Sequence, residues 1–174
     1  MGNVWVTADQ HFNHSNIIAY ENRPFSDVEC MNTFMIDAWN SVVAKDDKVF
    51  MLGDFGFGGS DFISSTLDKL KGNKILIMGN HDRSRSIKKW IELGFQAVYN
   101  YPIIYDSCYI LSHAPPDSTA DCDHFYNIFG HVHGNPAIDT VSDKGFCVSV
   151  ERHQYKPVLW KDIKYALKHE GRKG

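Results

Sequence analysis

Three stretches of the first half, VWVTAD (4–9), KVFMLGD (48–54) and KILIMGN (74–80), are almost continuous apolar runs, and each closes on a polar residue and a loop. Runs without polar alternation belong to strands covered on both faces, so the pattern predicts three central strands. Between the first two, Met31, Phe34, Met35, Ala38 and Val42 recur on one helical face behind a Ser26/Glu29 pair with capping-box spacing, which predicts a helix over about 27–44. Phe62, Ile63, Thr66, Leu67 and Leu70 draw a second stripe over about 61–71, ended by Gly72, and Ile87, Trp90 and Ile91 a third over about 84–93. The second half changes character. β-type runs at 97–105, 108–113, 126–131, 146–151 and 155–160 precede a short helix near 161–169. The expectation is an α/β fold of two packed mixed sheets flanked by helices in four layers.

Composition limits the rest. A chain of 174 residues, 43% hydrophobic, fits one domain over 1–174 with a sizeable core. The formal charge of −3 leaves no global basic field, so stable binding to duplex DNA is not expected. The start, MGNVWVTADQHF, lacks a basic segment followed by an apolar one, and no run reaches the length of a membrane span. A cytoplasmic protein without membrane contact is the resulting expectation. Cys30, Cys108, Cys122 and Cys147 show no C-x-x-C spacing and read as reduced, mostly buried small hydrophobes.

Polar chemistry gathers where the strands end. Asp9 and His11 follow the first, Asp54 the second, and Asn80, His81 and Asp82 the third; His113, His131 and His133 close later runs. In α/β sheets ligands bind at the carboxyl ends of strands, so five segments offer nitrogen or oxygen donors to one place. The stretch IFGHVHG (128–134) sets two imidazoles at i and i+2, on one face of an extended chain. Imidazole with carboxylate suits first-row transition metals better than magnesium or calcium alone. A structural zinc site fits poorly, because the donors come from distant segments and include asparagine and aspartate.

The series DQH (9–11), GDF (53–55), GNHD (79–82), SHA (112–114) and GHVH (130–133) resembles the calcineurin-like metallophosphoesterases in order and approximate spacing. That resemblance implies a dinuclear site, with Asp9, His11, Asp54 and His133 on one divalent ion, Asp54, Asn80, His113 and His131 on the other, and Asp54 bridging. Manganese is the favoured metal, with iron, zinc, nickel or cobalt as the others. The implied reaction is in-line attack on a phosphate ester by a metal-bridging hydroxide, with His81 as general acid rather than ligand. Two dications against two carboxylates would leave the pocket positive, as a phosphate substrate requires.

Serine/threonine protein phosphatases read GD-x-x-D-R-G at the second motif; Phe57 and Gly58 stand at the Asp and Arg positions here, which disfavours that subgroup and leaves His81 without an identified orienting partner. DQHFNHSNII (9–18) and NRPF (22–25) are closer to small bacterial and phage-type members. Phosphodiesters are the favoured substrates, nucleotides or short nucleic acids among them, with monoesterase activity or a catalytically retired protein-binding scaffold as the alternatives. Retention of His81 and all seven ligands argues for the enzyme. Arg23, His14 and Arg83 are the candidate substrate contacts, Arg23 as a bidentate phosphate donor. Arg85, Lys88 and Lys89 read as a solvated helix face, and His124, His153 and His169 have no matching partners. Phe12, Phe55 and Phe57 would wall the pocket or join the core. With only 12–25, 56–60, 83–86 and 114–125 left to shape it, the site should be open.

Overall fold

The three apolar runs form β1 (Val4–Thr7), β2 (Lys48–Met51) and β3 (Asn73–Ile77), parallel neighbours in a computed structural model that describes residues 2–115, 124–135 and 144–169. Their side chains alternate between two cores. Val49, Met51, Leu76 and Met78 face one cluster, while Val6, Ala8, Phe50, Leu52, Ile75 and Ile77 face another. Because both faces are buried, the runs carry no polar alternation.

The first cluster is closed by α2 (Val28–Asn40), α3 (Ser60–Lys69) and α4 (Ile87–Leu93), which contribute Met31, Met35, Trp39, Ile63, Leu67, Trp90 and Leu93. The second lies between the sheets, against Tyr109, Leu111, Ile128 and Val148, with Trp160, Ile163 and Leu167 of α5 (Trp160–His169) joining it. Two mixed sheets packed together and flanked by helices make this an α/β sandwich. The first, completed by β4 (Ala97–Tyr99) and β9 (Val158–Leu159), has the order β4-β3-β2-β1-β9, and the second, made of β5 (Ile103–Tyr105), β6 (Tyr109–Leu111), β7 (Tyr126–Phe129) and β8 (Gly145–Cys147), the order β5-β6-β7-β8.

Boundaries differ from the pattern in informative ways. Asp27, not Ser26, caps α2: its carboxylate accepts from Cys30 N at 2.8 Å while Ser26 Oγ donates to the same side chain. The run 97–105 divides into β4 (Ala97–Tyr99), paired with β3, and β5 (Ile103–Tyr105), which opens the second sheet. Pro102, which has no N–H for a ladder, lies at the break. The run 155–160 yields only β9 (Val158–Leu159), which returns to the first sheet antiparallel to β1. A six-residue helix, α1 (Ser15–Tyr20), buries one residue fully, Ile17, and so draws no stripe. The described cysteines Cys30, Cys108 and Cys147 are free, but Cys30 is exposed and the others only half-buried; Cys122 lies outside the described residues.

This topology positions the site. β1, β2 and β3 end at one edge, and β6 (Tyr109–Leu111) and β7 (Tyr126–Phe129), parallel to each other, end facing it. The sheets are tied there: Ala8 N donates to Val148 O at 3.1 Å and Val150 N to Ala8 O at 3.2 Å, just past β8 (Gly145–Cys147). Among the described residues no helix is long and apolar enough to cross a membrane.

Candidate metal centre

As the chain leaves these strands it turns left-handed. Asp9 (φ 62°), His11 (φ 53°), Asp54 (φ 56°), His131 (φ 71°) and His133 (φ 48°) all have positive φ, which swings their side chains out of the strand alternation into one cleft. Gly79 permits the close approach of β2 and β3 beneath it. A Cβ there would overlap Asp54 Oδ1 and lie 2.8 Å from Asp54 N, and neither can retreat. Gly79→Ala should therefore cost about 1–3 kcal/mol, the usual penalty of overpacking, read as a lower denaturant midpoint at unchanged slope. An unchanged midpoint would show that the strand ends separate freely.

Asp9, His11 and His133 bring ligand atoms within 4.8 Å of one another, and so do Asp54, His113 and His131. In the first group Asp9 Oδ2 accepts from Ser149 Oγ at 2.6 Å and His131 N at 2.8 Å, but Asp9 Oδ1 and both ring nitrogens of His11 are buried without a hydrogen-bond partner. Burial pushes the Asp9 carboxyl up to about 7, against the pull of His133 and the Ser149 hydroxyl. Burial, with His133 and Arg23 nearby, lowers His11 to about 2. Without another charge, this pocket disfavours ionising either group.

The second group is more ordered. His113 Nδ1 lies 2.8 Å from Leu52 O, so it carries the proton. Its Nε2 then presents a lone pair 2.9 Å from Asn80 Oδ1, 3.1 Å from His131 Nδ1 and 3.5 Å from Asp54 Oδ2. Asp54 Oδ2 is also 3.6 Å from His11 Nε2 and 3.9 Å from His81 Nε2, which sets this carboxylate between the two groups. Asp54 Oδ1 accepts from the backbone N–H of His81 at 3.0 Å, and the His81 ring stays 43% exposed at the rim.

All seven expected ligands and His81 thus converge. The expected substrate contacts do not share one fate. Arg83 is exposed, on the 3₁₀ turn Asp82–Ser84 after His81. His14 is half-buried beside His11, its ring 4.4 Å from that of Phe57. Arg23, expected to hold phosphate, is turned inward instead. Its side chain has no exposed surface; Nη1 donates to Gln10 O at 2.9 Å, Nη2 to Asp9 O at 2.8 Å, and Nε and Nη2 to Glu151 Oε1 at 3.0 and 2.5 Å. The fork that suits phosphate equally suits a buried carboxylate flanked by carbonyls. Phe12 and Phe55 are core, whereas Phe57 lies against His11 and His81 at 6.0 and 5.2 Å between ring centroids and walls the cleft.

Two carboxylates carry roles that the sequence did not assign. Glu151 Oε1 also lies 2.9 Å from His133 Nδ1. Burial pulls the His133 imidazole down, but this hydrogen bond and Asp9 outweigh it and raise its pKa. The contact leaves His133 Nε2 for the cleft, the usual way a carboxylate orients a ligating imidazole. Asp82, the last residue of GNHD, accepts from Asp54 N (2.7 Å), Gly79 N (2.8 Å) and Phe55 N (3.1 Å) and pins the ends of β2 and β3 together. The triple acceptor shows only once the two strands are paired; Glu151 has no spacing signal at all.

A sandwich of two mixed sheets with a buried histidine–carboxylate cleft at its strand ends defines the class structurally. The chain belongs to the family of the uncharacterized protein MJ1445 of Methanocaldococcus jannaschii, with 37% identity over 167 residues, 91% of this chain and 87% of that protein. The gene 66 protein of Mycobacterium phage L5 is 39% identical over 85 residues, 47% of this chain and 41% of the phage protein's length. Among solved structures, the protein of unknown function AQ665 from Aquifex aeolicus matches with a TM-score of 0.73 at 25% identity, covering 95% of this chain and 99% of that one. No family model matches the chain.

Proposed function

We propose that the chain is a metal-dependent phosphoesterase acting on phosphodiesters, in which Asp9, His11, Asp54 and His133 hold one divalent ion and Asp54, Asn80, His113 and His131 a second. The observation that carries this reading is the convergence at His113: with Nδ1–H committed to Leu52 O, lone pairs from His113 Nε2, His131 Nδ1, Asn80 Oδ1 and Asp54 Oδ2 meet with too few protons to satisfy them. A cation resolves that arrangement, and the unpartnered His11 nitrogens and Asp9 Oδ1 repeat it in the other half. Manganese, iron, zinc, nickel or cobalt fits this donor set. Such a pair of ions supplies Lewis acidity to phosphoryl oxygens and acidifies water for attack on phosphorus.

The chain's own groups do the rest. Asp54 holds the two halves in register. Glu151 fixes the ring of His133, and Arg23 neutralises Glu151 while clamping the carbonyls of Asp9 and Gln10. His81, anchored through its backbone N–H and leaning on Phe57, is at the rim where a departing oxygen would leave and is placed to protonate it. Exposure of Asn80, His81 and His131 leaves the cleft open on one side, which suits an ester with substituents on both sides of phosphorus.

The test is metal reconstitution. Chelated protein should be inactive, and added manganese should restore hydrolysis of an activated diester such as bis(4-nitrophenyl) phosphate. Manganese should also raise the unfolding free energy by about 2.7 kcal/mol at a hundredfold excess over its dissociation constant, a shift that needs no turnover. Full diesterase activity in metal-free protein would overturn the reading. Turnover of 4-nitrophenyl phosphate without diester turnover would select the monoesterase alternative.

A further inference from the structure

Past His81 the cleft side of the molecule continues into a groove of about 640 Å³ lined by Met78, Arg83, Arg85, Lys88, Asn100 and Tyr101 among others. Met78 follows β3 and Asn100–Tyr101 follow β4, so the groove occupies the same strand ends as the cleft, one strand further toward the sheet edge. The two are joined by the turn that carries His81 into Arg83. Arg85 ties them again, donating to Gly58 O in the loop that carries Phe57 while its guanidinium lies over the Trp90 ring at 5.2 Å.

The lining holds three cations and no carboxylate, in a chain whose net charge is −3. Arg83 makes no hydrogen bond or ion pair with any described residue. Lys88 has only Glu92, 4.0 Å away on its own helix, with the lysine side chain 88% exposed, a pairing worth little. Tyr101 is 77% exposed, although an aromatic ring of that size gains most by being covered. Of the residues expected on a solvated helix face, Arg85 instead precedes α4, on which Lys88 lies; with Tyr101 they offer separated cations and a bare aromatic plane along one groove.

We propose that this groove binds the leaving-side nucleotides of a single-stranded nucleic acid, which makes single-stranded oligonucleotides the substrate class of the cleft. Cations for successive phosphates and an aromatic ring for a base are the two elements of sequence-tolerant single-strand binding. A duplex buries the base faces that Tyr101 would stack on, which a single strand leaves free. The assignment to the leaving side rests on the phosphoesterase reading: His81 Nε2 lies 3.9 Å from Asp54 Oδ2 and the chain runs from His81 straight into Arg83 of the groove, so what the groove holds would depart with the oxygen that His81 protonates.

Binding is tested apart from catalysis, on the full chain without metal. Hexadeoxythymidylate titrated into ¹⁵N-labelled protein should shift the amides of Arg83–Lys88 and of Tyr99–Tyr101. Tyr101→Ala should weaken binding about fivefold or more, the loss of one stacked base, and Lys88→Glu should weaken it and flatten its salt dependence. A duplex of equal length should bind at least about tenfold more weakly. Absent shifts at these amides at millimolar hexamer, or equal shifts from inorganic phosphate at the same concentration, would overturn the proposal. Because the titration needs neither metal nor turnover, failure of the diester assay alone would strike the phosphoesterase reading and not the groove.

Discussion

Asp54→Asn is expected to reduce kcat/KM by about 10³-fold or more. The charge stabilisation that bound ions contribute is worth several kcal/mol, and each 1.4 kcal/mol is a factor of ten. The substitution isolates charge well. Asparagine tolerates the left-handed backbone at φ 56°, has nearly the same volume, and keeps an oxygen to accept the His81 N–H, so the fold has little reason to respond. What it removes is the anion 3.6 Å from His11 Nε2 and 3.5 Å from His113 Nε2, shared by both halves of the cleft. Metal content should fall in parallel, below two ions per chain. His124→Ala, at an exposed position outside the cleft, is the control. Two tightly held ions and undiminished turnover in Asp54→Asn would remove the bridging role of Asp54.

Arg23→Met should be the most destabilising single change around the cleft, by about 3–5 kcal/mol, the cost of stripping one partner from a buried ion pair. The methionine would fit beside Met31 and Met35, whose sulfurs already lie 3.4 and 3.9 Å from Nη1. It would leave Glu151 with His133 as its remaining close partner, and the carbonyls of Asp9 and Gln10 without the fork that satisfies them. Adding Glu151→Gln should recover part of the loss, so a double-mutant cycle by denaturant unfolding would return a coupling of about 0.5–3 kcal/mol. A stable Arg23→Met protein with impaired substrate binding would instead restore Arg23 to the phosphate site.

That pair marks where sequence reading reaches its limit. The strands β1 to β3 and the convergence of the polar residues at their ends were legible because burial on both faces leaves a continuous apolar run, and polar residues that end such runs stand out. Arg23 was legible as a member of the site but not in its role, since an arginine near phosphate chemistry and one clamping a buried glutamate read alike until Glu151, 128 residues on, is placed beside it. The short elements failed for want of length. α1 buries only Ile17, and β9 is two residues long, so neither carries a period; the split of 97–105 turns on Pro102 and on which sheet each half joins. Phe57 could not be separated from Phe12 and Phe55 by spacing, because all three stand near strand ends and differ only in what covers them.

Five of the seven proposed ligands sit on left-handed backbone, and three of those five are histidines, His11, His131 and His133. Each such position costs on the order of 1 kcal/mol relative to a glycine that adopts it freely. Folding by itself would therefore reward exchange of these histidines for glycine or asparagine, and a lineage kept only for its shape would erode first at the cleft. A descendant reduced to a scaffold should gain thermal stability as it lost its imidazoles. In this chain all three histidines occupy such positions, together with the orphaned nitrogens of His11, a cost to the fold that the metal-binding role proposed for them would offset.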